Sequence, residues 1–149
     1  MPYDPHAPTE SERSGMYISV WIGFAASVVL LSHSIGLAGR QVGGFAALVI
    51  GAHLVVLTVG SRFDEHFVAL RNFGFACAMS VIGLWLAARG LVTVFEVSHD
   101  AGQALAEGVR GTADAAAVPR WLSQAEPMVS LAGIAFYIGF AAAYWRGSR

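Results

Sequence analysis

Four long apolar stretches alternate with short polar breaks along the chain, and they cover Met16–Ala38, Val42–Gly60, Asn72–Val97 and Met128–Trp145. An α-helix needs about 20 apolar residues to cross the roughly 30 Å hydrocarbon core of a bilayer, and each stretch is of about this length. Because lipid offers no water to satisfy backbone N–H and C=O groups, such stretches span membranes as helices. The pattern predicts an all-α membrane protein with four transmembrane helices in an antiparallel bundle.

The polar breaks divide the chain into two predicted parts. Residues 1–15 carry three of the five prolines and several charged side chains, which indicates a polar, loosely docked N-terminal tail. Residues 16–149 then form the four-helix transmembrane domain. The break Gly39–Gln41 is short enough only for a tight turn, which predicts that the first two helices are antiparallel neighbours.

The longest break, Ser98–Pro127, contains two further patterns. Asp100–Val109 mixes small, apolar and charged residues in a way that predicts a short amphipathic surface helix. Residues 119–122, with Trp121 among them, are typical of a segment in the membrane interface. Pro127 fits the first turn of the fourth helix, where its missing N–H costs nothing.

The tripeptide Gly-Phe-Ala occurs once in every apolar stretch, starting at Gly23, Gly44, Gly74 and Gly139. One interpretation is an internal duplication, in which two helical hairpins are copies of each other. The other is coincidence, since the chain is rich in these three residue types. The sequence leaves both open.

The composition indicates the kind of organism and membrane to which the protein belongs. All nine basic residues are Arg, and 56% of the residues are hydrophobic, a combination that suggests a bacterial inner-membrane protein from a GC-rich genome. The net charge of −1 gives no reason to expect a nucleic-acid partner. Cys77 is the single cysteine, which excludes an intramolecular disulfide.

The arginines also predict an orientation. Short cytoplasmic loops carry an excess of basic residues. With four spans, five arginines fall on the side of both termini, which should therefore be cytoplasmic, and three fall on the other side. The first group is Arg13, Arg62, Arg71, Arg146 and Arg149, and the second is Arg40, Arg110 and Arg120, with Arg89 inside the third stretch able to snorkel towards it.

Small residues recur at four-residue spacing within three of the stretches, as expected where helix backbones approach closely in lipid. They predict packing surfaces, either within the chain or between chains. The positions are Gly43, Ala47 and Gly51, then Gly83 and Ala87, then Ala135, Gly139 and Ala143.

Ionisable groups inside a bilayer cost a few kcal/mol, so each needs a reason. His53 lies near the middle of the second stretch and predicts either a neutral His bonded to a backbone carbonyl or a cofactor-binding or proton-handling residue. His33, Glu96, His99 and Asp100 reach one membrane face in the four-span arrangement. Glu96 and His99 have the Glu-x-x-His spacing of di-iron bundles, but such sites need two copies, so no metal site is predicted.

No catalytic motif is present, so the sequence names no reaction and no catalytic residue. We expect a non-catalytic accessory or structural subunit of a larger membrane complex, of respiratory or photosynthetic type. It would have lipid and other membrane subunits, or further copies of itself, as partners and would require no cofactor. One alternative is a small homo-oligomeric transporter or channel. Another is a haem- or quinone-binding membrane anchor that uses His33, His53 or His99.

Overall fold

The computed structural model describes residues 9–60, 63–107 and 120–147. Within these ranges the regular structure is entirely helical, in the order α1 Glu10–Ser34, α2 Arg40–Val59, α3 Glu65–Glu107, α4 Arg120–Ser123 and α5 Ala125–Gly147. Helices α1, α2, α3 and α5 are each long and apolar enough to cross a membrane. The all-α class and the four candidate spans predicted from the apolar stretches are confirmed.

Helix α1 begins before its apolar stretch does. Thr9 is the N-cap: its side chain accepts from the Glu12 backbone N–H at 3.3 Å, and Glu12 accepts from the Thr9 backbone N–H at 2.7 Å. This reciprocal capping box satisfies two backbone donors that the first turn leaves unpaired. Residues 10–15, assigned to a polar tail from the sequence, are therefore the first turns of α1, whereas residues 1–8 lie outside the described part.

The turn between α1 and α2 shortens the first span. Ser34 ends α1, four residues before the apolar stretch ends at Ala38. Gly36 has a φ of 81°, a left-handed conformation that glycine adopts without a Cβ clash and that commonly ends helices. The Leu37 N–H then donates to the Ser32 carbonyl at 2.8 Å, closing the turn.

Helix α3 is one continuous element of 43 residues, about 65 Å long at 1.5 Å per residue. Its N-terminus is capped by Asp64, whose carboxylate accepts from the Phe67 N–H at 2.6 Å. The prediction of a separate surface helix from Asp100 is wrong, because α3 runs on to Glu107. No proline interrupts it, and Ser98, which could have capped a new helix, bonds back to the Val94 carbonyl within α3.

Helix α5 is the centre of the packing, since it contacts α1, α3 and α4, while α2 packs mainly against α1. The larger core cluster joins α1, α2, α3 and α5; its buried members include Val20, Leu57, Phe67, Phe136 and Phe140. A smaller cluster of Leu30, Ala46 and Ile50 closes the α1–α2 contact near the turn.

The short helix α4 occupies part of the predicted interfacial segment. Its Trp121 ring meets the Trp85 ring of α3 edge to face, with centroids 5.5 Å apart, and its Leu122 is buried. Pro127 lies in the first turn of α5, as predicted. Arg62, Arg110 and Arg149, which the orientation prediction uses, lie outside the described residues.

Candidate functional site

Three helices meet through one set of side-chain hydrogen bonds around His53. Its Nδ1 lies 2.8 Å from the Tyr137 hydroxyl on α5, and its Nε2 lies 3.1 Å from the Ser19 hydroxyl on α1. The Ser19 hydroxyl in turn lies 2.7 Å from the Met16 carbonyl. We call these three side chains the Ser19–His53–Tyr137 chain.

The donor and acceptor groups available determine the direction of the hydrogen bonds in the Ser19–His53–Tyr137 chain. A carbonyl only accepts, so Ser19 donates its single proton to Met16 and must accept from His53. His53 therefore carries a proton on Nε2. Burial disfavours a charged imidazole. In the neutral form, Nδ1 accepts from the Tyr137 hydroxyl of α5, and Nε2–H donates to Ser19 of α1.

Close helix contact makes this geometry possible. Gly23 on α1 lies directly against the Tyr137 hydroxyl, and a Cβ placed there would also come within 2.7 Å of His53 Nδ1. The Tyr137 and His53 rings stack with centroids 5.8 Å apart, and Tyr137 is only 2% exposed. The Gly-Phe-Ala sequence at Gly23 therefore supplies the space in which α1, α2 and α5 share a polar contact.

One turn further along α1, a second close approach continues the same interface. The Ser27 hydroxyl donates to the Gly23 carbonyl at 3.0 Å and is fully buried. A Cβ at Gly133 of α5 would lie 2.5 Å from this hydroxyl. Because Ser27 satisfies its donor within its own helix, it acts as a small packing residue between α1 and α5.

The other candidate histidines lie away from the Ser19–His53–Tyr137 chain. His33 lies 2.9 Å through Nδ1 from the Ala38 carbonyl of the α1–α2 turn, and its ring lies against Gly43. Gly43 and His53 are about 15 Å apart along α2 at 1.5 Å per residue. His33 thus has the carbonyl-bonded role that the sequence suggested for His53.

Glu96 and His99 belong to the second half of α3, where His99 is exposed and Glu96 half-buried. Neither has a described contact with His33, so the structure does not bring these three members of the predicted constellation together; the side chain of Asp100 lies outside the described part. Within the described residues, no group of three or more His, Cys, Asp or Glu side chains could hold a metal ion.

The small residues divide into two sets. Gly43 lies against His33, and a Cβ at Gly139 would lie 2.7 Å from the Cys77 Sγ and 3.4 Å from the Gly74 Cα, at the α3–α5 contact. Ala135 and Ala143 are half-buried on α5. By contrast, a Cβ at Gly51 or Gly83 would meet nothing within 4 Å. Ala47 and Ala87 are also exposed, so these four face away from the rest of the chain.

A basic residue joins α2 to α3 at the opposite end of α2 from His33. Arg71 donates through Nη1 to the Leu57 carbonyl at 2.8 Å, and its guanidinium lies 5.7 Å from the centre of the Phe63 ring. A cation at a helix C-terminus satisfies a carbonyl that the helix leaves unpaired and complements its dipole. Sequence reasoning counted Arg71 only as a loop charge.

Sequence reasoning also missed Ser19 and Tyr137. Each is a polar residue inside an apolar stretch, and that was the available signal, but Ser and Tyr are too frequent in such stretches to be singled out without a partner. The partner is 84 positions away from Tyr137, so only the fold identifies it.

No protein-family model, curated protein or solved structure matches this chain.

Proposed function

We propose that this chain is an integral membrane protein of the bacterial inner membrane, with its spans in an antiparallel bundle and both termini cytoplasmic. In that bundle it acts as a non-catalytic accessory or structural subunit of a larger membrane complex. Contact pairs support the antiparallel arrangement. Helix α1 meets α2 through His33 and Gly43 near the turn, and through Ser19 and His53 farther from it.

The surface of α3 is the observation that carries the proposed role. Trp85 contacts Trp121 of α4 near the start of α5, yet α3 continues to Glu107, about 33 Å farther at 1.5 Å per residue. On this projecting half, six large apolar side chains are more than half exposed: Leu86, Leu91, Val94, Phe95, Val97 and Leu105.

The spacing of these residues favours another helix as the neighbour. Positions 84, 88, 91, 95, 98, 102 and 105 alternate steps of three and four residues, and they hold Leu, Ala, Leu, Phe, Ser, Gly and Leu. This is the repeat by which one helix presents a continuous seam to a second helix. Arg89, Thr93 and Glu96 lie on the opposite side of α3 from this seam.

The polar interior supports a structural role over a transport role. His53 has both ring nitrogens engaged by Tyr137 and Ser19, and Arg71 is engaged by the α2 terminus. A conducting path would need polar groups that exchange partners with a solute. Here His53 bonds to side chains of two other helices and Arg71 bonds to the end of α2, so both residues hold helices together.

Co-purification in a mild detergent, followed by native mass spectrometry, tests the proposal. We expect the tagged chain to be recovered in a complex larger than one copy of itself. The double variant Leu91→Ser/Phe95→Ser should release it from that complex while the helix content stays unchanged. Thr93→Ala, on the other face of α3, is the matched control and should leave the complex intact.

Two results would overturn the proposed role. One is a wild-type chain that forms no cross-links to another protein when cross-linker is added to the membranes before solubilisation, because the chain would then be a monomer in the membrane. The other is a complex that is indifferent to the Leu91→Ser/Phe95→Ser change.

A further inference from the structure

A pocket of about 380 Å³ lies between α1 and α5, and Tyr137 is one of the residues that line it. Its walls are mostly aromatic: Tyr17, Trp21 and Phe24 come from α1, and Tyr137, Tyr144 and Trp145 come from α5. Small-molecule sites in proteins have volumes of about 300–1,000 Å³ and are lined by apolar and aromatic groups with a few polar ones. This pocket has the size of a single ring system, not of a whole lipid.

The side chains that line the pocket restrict the charge and the hydrogen-bonding groups of a ligand that could bind there. Among the described residues, no charged side chain lines the pocket, so they offer no counter-charge to an ionic head group. The polar side chains among the lining residues are phenols and indoles, for example Tyr144 and Trp21. An indole N–H only donates, and a phenol can donate, so the walls suit a ligand that carries acceptors.

We propose that this pocket binds the head ring of a lipid-soluble quinone. A quinone is uncharged and planar, its two carbonyl oxygens are hydrogen-bond acceptors, and its ring stacks on or against aromatic side chains. Its isoprenoid tail would leave through the open side of the pocket into lipid. The inference rests on the membrane insertion proposed above but not on the subunit role.

The Ser19–His53–Tyr137 chain gives the pocket a fixed wall. The Tyr137 ring lines the pocket, while its hydroxyl is held by His53 behind it. The hydroxyl of Tyr137 is thus committed to the protein, and the ring presents its face or edge to the ligand. None of the candidate histidines contacts the pocket, so this site differs from a haem or quinone site built on histidine ligands.

Tryptophan fluorescence tests the site, because quinones quench nearby indoles. The chain has four tryptophans: Trp21 and Trp145 line the pocket, and Trp85 and Trp121 contact each other elsewhere. In proteoliposomes, decylubiquinone should quench the Trp85→Phe/Trp121→Phe variant saturably. In the Trp21→Phe/Trp145→Phe variant, quenching should rise only linearly, in proportion to the quinone dissolved in the lipid.

A variant with a side chain that fills the pocket provides a second test of the quinone site. Ala141 lines it, and Ala141→Phe should abolish saturable quenching of the pocket tryptophans, whereas Ala87→Phe on the exposed surface of α3 should leave it unchanged. Equal linear quenching of both tryptophan pairs would overturn the proposal. So would displacement of the quinone by dodecane as effective as by a second quinone, since that would identify an alkyl-chain site. Resistance of the protein to carbonate extraction reports membrane insertion separately.

Discussion

Gly23 on α1 and Tyr137 on α5 are in direct contact, and the contact leaves no room for a Cβ atom at position 23. The Tyr137 hydroxyl that occupies this space donates to His53 of α2, so a single glycine determines whether three helices can share one polar contact. The same tripeptide at Gly44 faces open space. Identical local sequences thus have different roles because of their neighbours.

Gly23→Ala is therefore expected to destabilise the protein. The added methyl group must displace Tyr137 or separate α1 from α5, and inserting a methyl into a packed interior costs about 1–3 kcal/mol. Gly44→Ala is the matched control, since nothing lies within 4 Å of its Cβ. The free energy of unfolding from detergent titration of both variants is the measurement, and equal values would contradict the contact.

The hydrogen bond between Tyr137 and His53 predicts energetic coupling. Tyr137→Phe keeps the buried ring and removes the donor, and His53→Ala removes the acceptor. In a double-mutant cycle the coupling should be about 0.6 kcal/mol and at most about 1.7 kcal/mol, the range found for interhelical hydrogen bonds in membranes. Strict additivity of the two changes would show that the bond contributes nothing to stability.

Gly139 and Gly51 should respond differently to leucine. Gly139→Leu places a large side chain against Cys77 and Gly74 and should force α3 and α5 apart, lowering the free energy of unfolding of the chain itself. Gly51→Leu should leave that free energy unchanged, because Gly51 faces outward; it should weaken assembly with a neighbouring chain. Unfolding and native mass measured on the same samples separate the two effects. An unfolding defect in Gly51→Leu would contradict the outward placement.

Reporter fusions test the orientation predicted from the arginines. Reporters placed at residues 1 and 149 should be active in the cytoplasm, and one placed at residue 112 should be active on the periplasmic side. The reasoning needs four spans, which put both termini on one face. A periplasmic C-terminus would refute the four-span arrangement.

The absorption spectrum tests the alternative of a haem-binding anchor. We expect no Soret band from the purified protein, and we expect His99→Ala to leave its fold unchanged because His99 is exposed. His33→Ala removes the side chain that bonds to the Ala38 carbonyl, so it should loosen the α1–α2 turn without any change in colour. A reducible Soret band at near-stoichiometric haem would reverse this expectation and make the histidines candidate ligands.

Local sequence was sufficient for the spans. Apolar residues over the length of a bilayer indicate helices because backbone groups must bond within the segment, whatever surrounds it. Pro127 was likewise placed from chemistry internal to one turn. Helix ends were less predictable: Thr9 and Glu12 extend α1 backwards through a capping box, and Gly36 shortens it through a left-handed turn. These ends depend on hydrogen bonds that hydropathy does not detect.

Only the tertiary structure decided which polar residues belong together. His53 was recognised from the sequence because an ionisable group inside an apolar stretch is costly, but its partners Ser19 and Tyr137 are remote in sequence and unremarkable in composition. The small residues show the same division. Their spacing predicts close packing, but it does not distinguish Gly139, which is buried against α3, from Gly51, which faces outward. Periodicity fixes the face of a helix on which a residue lies, whereas the neighbour that covers that face is a property of the whole fold.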